Sequence, residues 1–158
     1  MKKLLRAREG FTLIELMIVI AVIGILAAVL IPYTFRAQDR ARETGVVNAA
    51  RAIQTGLEMF ASNQVGAPWY PDDISEITST SNTGLAGMVS PAPKNPFNGY
   101  SYLDSTYIVE GTGVFYLGTT SATDLKGVIK YEYDNDSYTL TPYGANSLPL
   151  PQVLTGGR

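Results

Sequence analysis

From Phe11 to Ile31 the chain runs for 21 residues with one charged side chain, Glu15. As a helix this run spans ~30 Å, the thickness of a bilayer's hydrocarbon core. It is longer than the apolar part of a secretory signal peptide, ~7–15 residues, and no A-x-A site follows it directly. A helix that is apolar all round has to be covered by lipid or by other helices. The plainest reading is a signal anchor. Lys2, Lys3, Arg6 and Arg8 precede the run and favour a cytoplasmic N-terminus, while Arg36, Arg40 and Arg42 on the far flank reduce that bias.

The order of residues says more than the length. Lys2-Lys3 and Arg6 lead to Arg8-Glu9-Gly10, then Phe11-Thr12-Leu13-Ile14-Glu15-Leu16. This resembles the class III signal of type IV prepilins and type II secretion pseudopilins. Gly24 and Pro32 also stand where many members carry Gly and Pro. The resemblance implies that a membrane aspartyl peptidase cuts between Gly10 and Phe11 and methylates the new amine of Phe11. It further implies a helical homopolymer of this chain, assembled by an inner-membrane platform and its ATPase. The precursor would sit in a bacterial inner membrane, and the product would be an extracellular or periplasm-spanning filament. On this reading residues 1–10 are a cleaved leader and residues 11–31 are the transmembrane and filament core.

A carboxylate deep in an apolar helix costs ~2–3 kcal/mol or more if it stays charged. It needs a cation or a proton. No Lys or Arg lies between Phe11 and Ile31, so the only nearby cation is the Phe11 amine that cleavage would create. Three arrangements are open. Glu15 and the Phe11 amine are i+4 and i, and can pair within a subunit. Glu15 can pair instead with the Phe11 amine of a neighbouring subunit, which would set the axial step. Or the carboxylate snorkels to the interface.

Helical periodicity continues through Ala41, Val46, Ala49, Ala50, Ile53, Leu57 and Phe60. The spacing predicts one helix over residues 11–62, interrupted or kinked near Pro32 and Gly24, with an amphipathic second half that needs a sheet to cover it. Residues 63–99, rich in Pro and Ser/Thr, read as an αβ loop, with Asp72 or Asp73 near the start of a short helical turn. Pro93-Lys94-Asn95-Pro96-Phe97-Asn98-Gly99-Tyr100 resembles the Asn-Pro-Phe segment of major pseudopilins, and it equally suits a turn entering a strand. Residues 100–143 predict four strands, Tyr100–Ile108, Gly113–Leu117, Val128–Tyr133 and Ser137–Pro142, with Asp134-Asn135-Asp136 as a hairpin turn. The tail, residues 144–158, reads as mobile. The expected fold class is α+β: a long N-terminal helix packed on a small antiparallel sheet.

With 0 His and 0 Cys, the chain lacks the usual zinc, haem and thiol chemistry and the commonest general base. It has no nucleophile–base set and no phosphate loop, so no catalytic residue and no cofactor is expected. Asp134 and Asp136 could offer oxygens to Ca²⁺, but without the spaced ligand set of an EF-hand. The formal charge is −2, and loss of a leader with net +3 takes it to −5, which gives no bulk attraction for nucleic acid. The expected function is a type IV pilus-like filament subunit. A major pseudopilin of a type II secretion system is the alternative, and a membrane-anchored binding module the third.

Overall fold

The computed structural model describes residues 10–66, 69–134 and 136–157. The leader residues Lys2, Lys3, Arg6, Arg8 and Glu9 lie outside the described residues. One helix, α1, spans Leu13–Asn63. The chain divides after Gln38 into two compact units, and α1 contributes to both.

In the first unit every residue from Gly10 to Gln38 is exposed. The apolar stretch is not covered by the described residues of its own unit, and it is long and apolar enough to cross a membrane. Pro32 lies inside α1. Its missing N–H removes one rung of the i to i−4 ladder, yet the expected interruption is absent and the helix continues on both sides.

In the second unit α1 turns one stripe inward. Val46, Ala49, Ala50, Ile53, Leu57, Phe60 and Ala61 are buried, at the three- and four-residue spacings of a single helix face. They meet a five-stranded antiparallel sheet in sequential order: β1 (Ile108–Gly111), β2 (Val114–Leu117), β3 (Ile129–Asp134), β4 (Ser137–Pro142) and β5 (Leu154–Gly157). Phe115 pairs with Tyr131, and Tyr131 with Leu140, so one face carries a buried row across three strands. The opposite face alternates to Tyr116, Lys130 and Thr141.

The loop between helix and sheet is pinned from the sheet. The Tyr131 hydroxyl donates to the Pro71 carbonyl at 2.9 Å, and that of Tyr133 to the Asp72 carbonyl at 3.2 Å. Two short helices follow, α2 (Ile74–Thr78) and α3 (Leu85–Met88). Asp73 is the N-cap of α2, accepting from the Ser75 N–H at 2.6 Å, as the sequence led one to expect.

Two expectations fail. Tyr100–Ile108 is not a strand: only Ile108 joins β1. Tyr102 and Leu103 are both buried, which breaks the two-residue alternation of a strand. Asp104 then caps a 3-10 turn, Ser105–Tyr107, by accepting from the Thr106 N–H. Short polar side chains thus supply local partners that compete with a ladder. The tail is not loose either. β5 pairs with β4 from Ser137↔Gly157 to Leu140↔Leu154. Its Gly-Gly sequence hid it, because glycine is scarce in strands.

Candidate functional site

Gly10 and Phe11 precede α1 and are exposed, Phe11 at 87 %. A side chain at Gly10 would meet nothing within 4 Å. The peptide bond between them therefore lies in accessible, non-helical backbone, the form a peptidase needs.

Glu15 is held by a residue the sequence reading passed over. Its Oε2 accepts from the Thr12 backbone N–H at 2.9 Å and from the Thr12 hydroxyl at 2.9 Å. The Thr12 Oγ1 accepts in turn from the Glu15 N–H at 3.3 Å. This is the reciprocal capping box of a T-x-x-E sequence, and the pattern Thr12-Leu13-Ile14-Glu15 carried the signal. It satisfies two donors at the helix start and sets the carboxylate beside the positive end of the helix dipole. So Glu15 has partners even where no cation is present. Among the described residues its other oxygen, Oε1, takes no hydrogen bond, and it lies one turn from Phe11.

A second constellation fixes the globular unit. Asn95 is fully buried. Its amide donates to the carbonyls of Gly118 (3.2 Å) and Lys126 (3.0 Å), and its Oδ1 accepts from the Phe97 N–H at 2.9 Å. Asn98 adds a bond to the Gly118 carbonyl at 3.1 Å. Next in sequence, Pro96 rests on α1, where a Cβ at Gly45 would lie 3.1 Å from its Cγ. The Phe97 ring lies 5.7 Å from the Arg42 guanidinium and 5.2 Å from the Lys126 ammonium, within cation–π range. The Asn-Pro-Phe segment is therefore a clasp joining α1, the αβ loop and the β2–β3 loop.

The C-terminal segment is clasped as well. Glu43 accepts from the Ala145 N–H at 3.1 Å, and Gln54 donates to the Thr155 carbonyl at 3.3 Å. Glu58 accepts from the Tyr138 hydroxyl at 2.7 Å. These three helix side chains gave no sequence signal, because their partners lie about a hundred residues away or in a strand. Asp134 pairs with Ser137 at the close of the β3–β4 hairpin, and Asn135 of the expected turn lies outside the described residues. Among the described residues no group of three His, Cys, Asp or Glu side chains is placed to hold a metal ion.

A family profile described as the prokaryotic N-terminal methylation motif matches residues 5–31. A fimbrial protein of Pseudomonas aeruginosa is 34 % identical over 130 residues, 79 % of this chain and 78 % of its own. The type II secretion system core protein G of the same species is 29 % identical over 106 residues, 62 % of this chain and 75 % of its own. The type IV wide pilus major component PilA4 of Thermus thermophilus is 62 % identical over 67 residues, 38 % of this chain and 51 % of its own. No solved structure gives a significant match. The motif, the α1-and-sheet fold and a relative aligned over more than three quarters of both chains lead to one conclusion: the chain belongs to the family of type IV pilins and type II secretion pseudopilins.

Proposed function

We propose that the chain is a structural subunit of a type IV pilus-like filament, cut between Gly10 and Phe11, methylated on the Phe11 amine, and assembled through the apolar part of α1. One observation carries the reading. Every side chain from Phe11 to Phe35 is exposed within the chain, so this surface is built to be covered first by lipid and then by copies of itself. Small residues Ala21, Gly24, Ala27 and Ala28 allow such helices to approach closely. The role is structural rather than enzymatic, and the localisation is an inner-membrane precursor followed by an extracellular filament.

Glu15 aligns the incoming subunit. The Thr12 cap occupies Oε2 and leaves Oε1 open to the methylated amine of a neighbouring Phe11, so one carboxylate serves both the helix start and the subunit contact. Thr12→Val and Glu15→Ala separate the two duties. Thr12→Val loses the bonds of the hydroxyl and Glu15→Ala those of the carboxylate, and only Glu15→Ala loses the charge. Expressed with a pilus assembly system, both variants should be inserted and cut. Glu15→Ala should give few sheared filaments, and Thr12→Val should assemble better. Equal, normal filament yields from both would refute the alignment role.

A second reading keeps one specific support. The Asn95-Pro96-Phe97 clasp, with the type II secretion relative, suits a major pseudopilin forming a periplasm-spanning filament. Long surface fibres seen by electron microscopy, produced without a secretion system, decide for the pilus.

A further inference from the structure

Asn98-Gly99 is the chain's one Asn-Gly pair, and the Asn-Pro-Phe clasp runs straight into it. Asparagine is among the thermolabile residues. Glycine after it leaves the next backbone nitrogen unhindered by a Cβ. Asn98 and Gly99 are both exposed, so water reaches them. The pair is nevertheless tied on both sides of the bond that would form between them. The Asn98 Oδ1 accepts from the Tyr100 N–H at 2.9 Å, and its Nδ2 donates to the Gly118 carbonyl at 3.1 Å. The Gly99 N–H, the group that would attack, donates to the Asn95 carbonyl at 2.8 Å. Asn95 is itself held. Its backbone N–H donates to the Tyr100 carbonyl at 2.8 Å, and its buried amide donates to the Gly118 and Lys126 carbonyls. One residue thus centres the clasp and occupies the attacking nitrogen.

We propose that Asn98 is a latent modification site: water replaces its side-chain amide once the clasp opens, and the product keeps the clasp from closing again. Solvent base removes the Gly99 amide proton, and the nitrogen attacks the Asn98 Cγ. The N–Cγ bond forms, the Cγ–Nδ2 bond breaks, and Nδ2 leaves as ammonia with a proton from solvent. Water then opens the cyclic imide. Cleaving the N–Cγ bond leaves Asp. Cleaving the bond between that nitrogen and the Asn98 main-chain carbonyl leaves isoaspartate. One water is consumed, one ammonia is released and nothing is oxidised. In the closed clasp the nitrogen is bonded to Asn95 and the amide to two partners, so the step runs from the locally opened form. Either product lacks the N–H that Asn98 gives to the Gly118 carbonyl and brings a negative charge instead. Acceptor then faces acceptor, which loses the bond and adds repulsion. Isoaspartate also lengthens the backbone before Gly99. A subunit that stays folded keeps Asn98, whereas one left open is converted to a form that no longer closes. The inference concerns the globular unit and stands independently of the filament reading.

The full-length chain in detergent, folded or unfolded in urea, is incubated in mildly alkaline buffer. Peptide mapping then follows the mass gain at residues 98–99, and isoaspartyl methyltransferase labels the isoaspartate. Loss of the Asn98 amide should be at least about tenfold slower in the folded chain, the factor set by a clasp-opening free energy of about 1.4 kcal/mol. Folded Asn95→Ala should close most of that gap. Urea below the unfolding midpoint should also raise the wild-type rate, which tests the clasp even where Asn95→Ala does not fold. Gly99→Ala is compared with wild type in urea, because a φ of 80° would strain a folded alanine. It should keep its amide longer, as attack by the backbone nitrogen requires. Asn98→Asp should lower the urea midpoint and the hydrogen-exchange protection of the β2–β3 loop. Equal rates in folded and unfolded wild type would overturn the protection. An Asn98 amide that persists in the unfolded chain would remove the site. An Asn98→Asp chain with unchanged midpoint and exchange would overturn the block to closing.

Discussion

Gly24 and Gly56 lie in the same helix and have opposite surroundings. A Cβ at Gly24 would meet nothing within 4 Å. At Gly56 it would collide with the Cγ2 of Val89 and lie 2.9 Å from the Cδ1 of Leu85. The contrast holds for their neighbours: Leu26 is 59 % exposed and Leu57 0 %. The first stretch of α1 is finished only by other molecules, whereas the second is finished by its own loop and sheet. The same residue types therefore carry assembly in one stretch and subunit stability in the other.

Deletion gives the largest test of that division. Residues 39–158 alone should be a soluble, folded monomer, and the full chain should need detergent. Size-exclusion chromatography with circular dichroism checks this, and an aggregated or unfolded fragment breaks the comparison. Substitution is next. In the fragment, Leu57→Ala should cost ~2–5 kcal/mol of unfolding free energy, read as a lower urea midpoint. In the full chain Leu26→Ala should leave the globular unit's stability within ~0.5 kcal/mol and act on filament yield.

Asn95 extends the test to the clasp. Asn95→Ala strands the Lys126 carbonyl and the Phe97 N–H, while the Gly118 carbonyl keeps the Asn98 amide, at about 1–3 kcal/mol for each group that water cannot reach. The β2–β3 loop should lose hydrogen-exchange protection before the sheet does. Gly56→Ala should cost ~1–3 kcal/mol by overpacking, while Gly24→Ala gains up to ~1 kcal/mol of helix propensity. Any loss from Gly24→Ala must then appear in filaments.

The smallest effect is electrostatic. Burial, and then the charges of Asp72 and Asp73, raise the Glu76 carboxyl above its ordinary value of 4.5, against a bond from the Asp72 backbone. The folded state thus prefers the proton. Stability falls as pH climbs through the unfolded value toward the raised one, and the deficit persists above it. Glu76→Gln should flatten this limb of the fragment's pH–stability curve and leave neutral-pH stability equal or higher.

Legibility in the sequence followed the range of the interactions. The apolar run, the buried stripe from Val46 to Phe60, the Asp73 cap and the hairpin from β3 to β4 all rest on neighbours in sequence, and each was readable. β5 was not, because its place is set by pairing with β4 and by Gln54. Nor was the absence of a strand at Tyr100, where two adjacent residues are both buried by contacts made elsewhere. At the N-terminus the motif gave Gly10, Phe11 and Glu15 as a set. Reasoning from charge alone sought a cation for Glu15 and so overlooked the hydroxyl and amide of Thr12, three residues before it.

The central claim is that the first stretch of α1 becomes an assembly surface once its leader is removed. Intact-mass and N-terminal analysis of filaments sheared from cells tests it most directly. The account predicts a subunit that begins at N-methylated Phe11, and a Gly10→Val chain that stays uncut in the membrane and absent from filaments. Filaments built from subunits with any other N-terminus, or from uncut Gly10→Val chains, would contradict it.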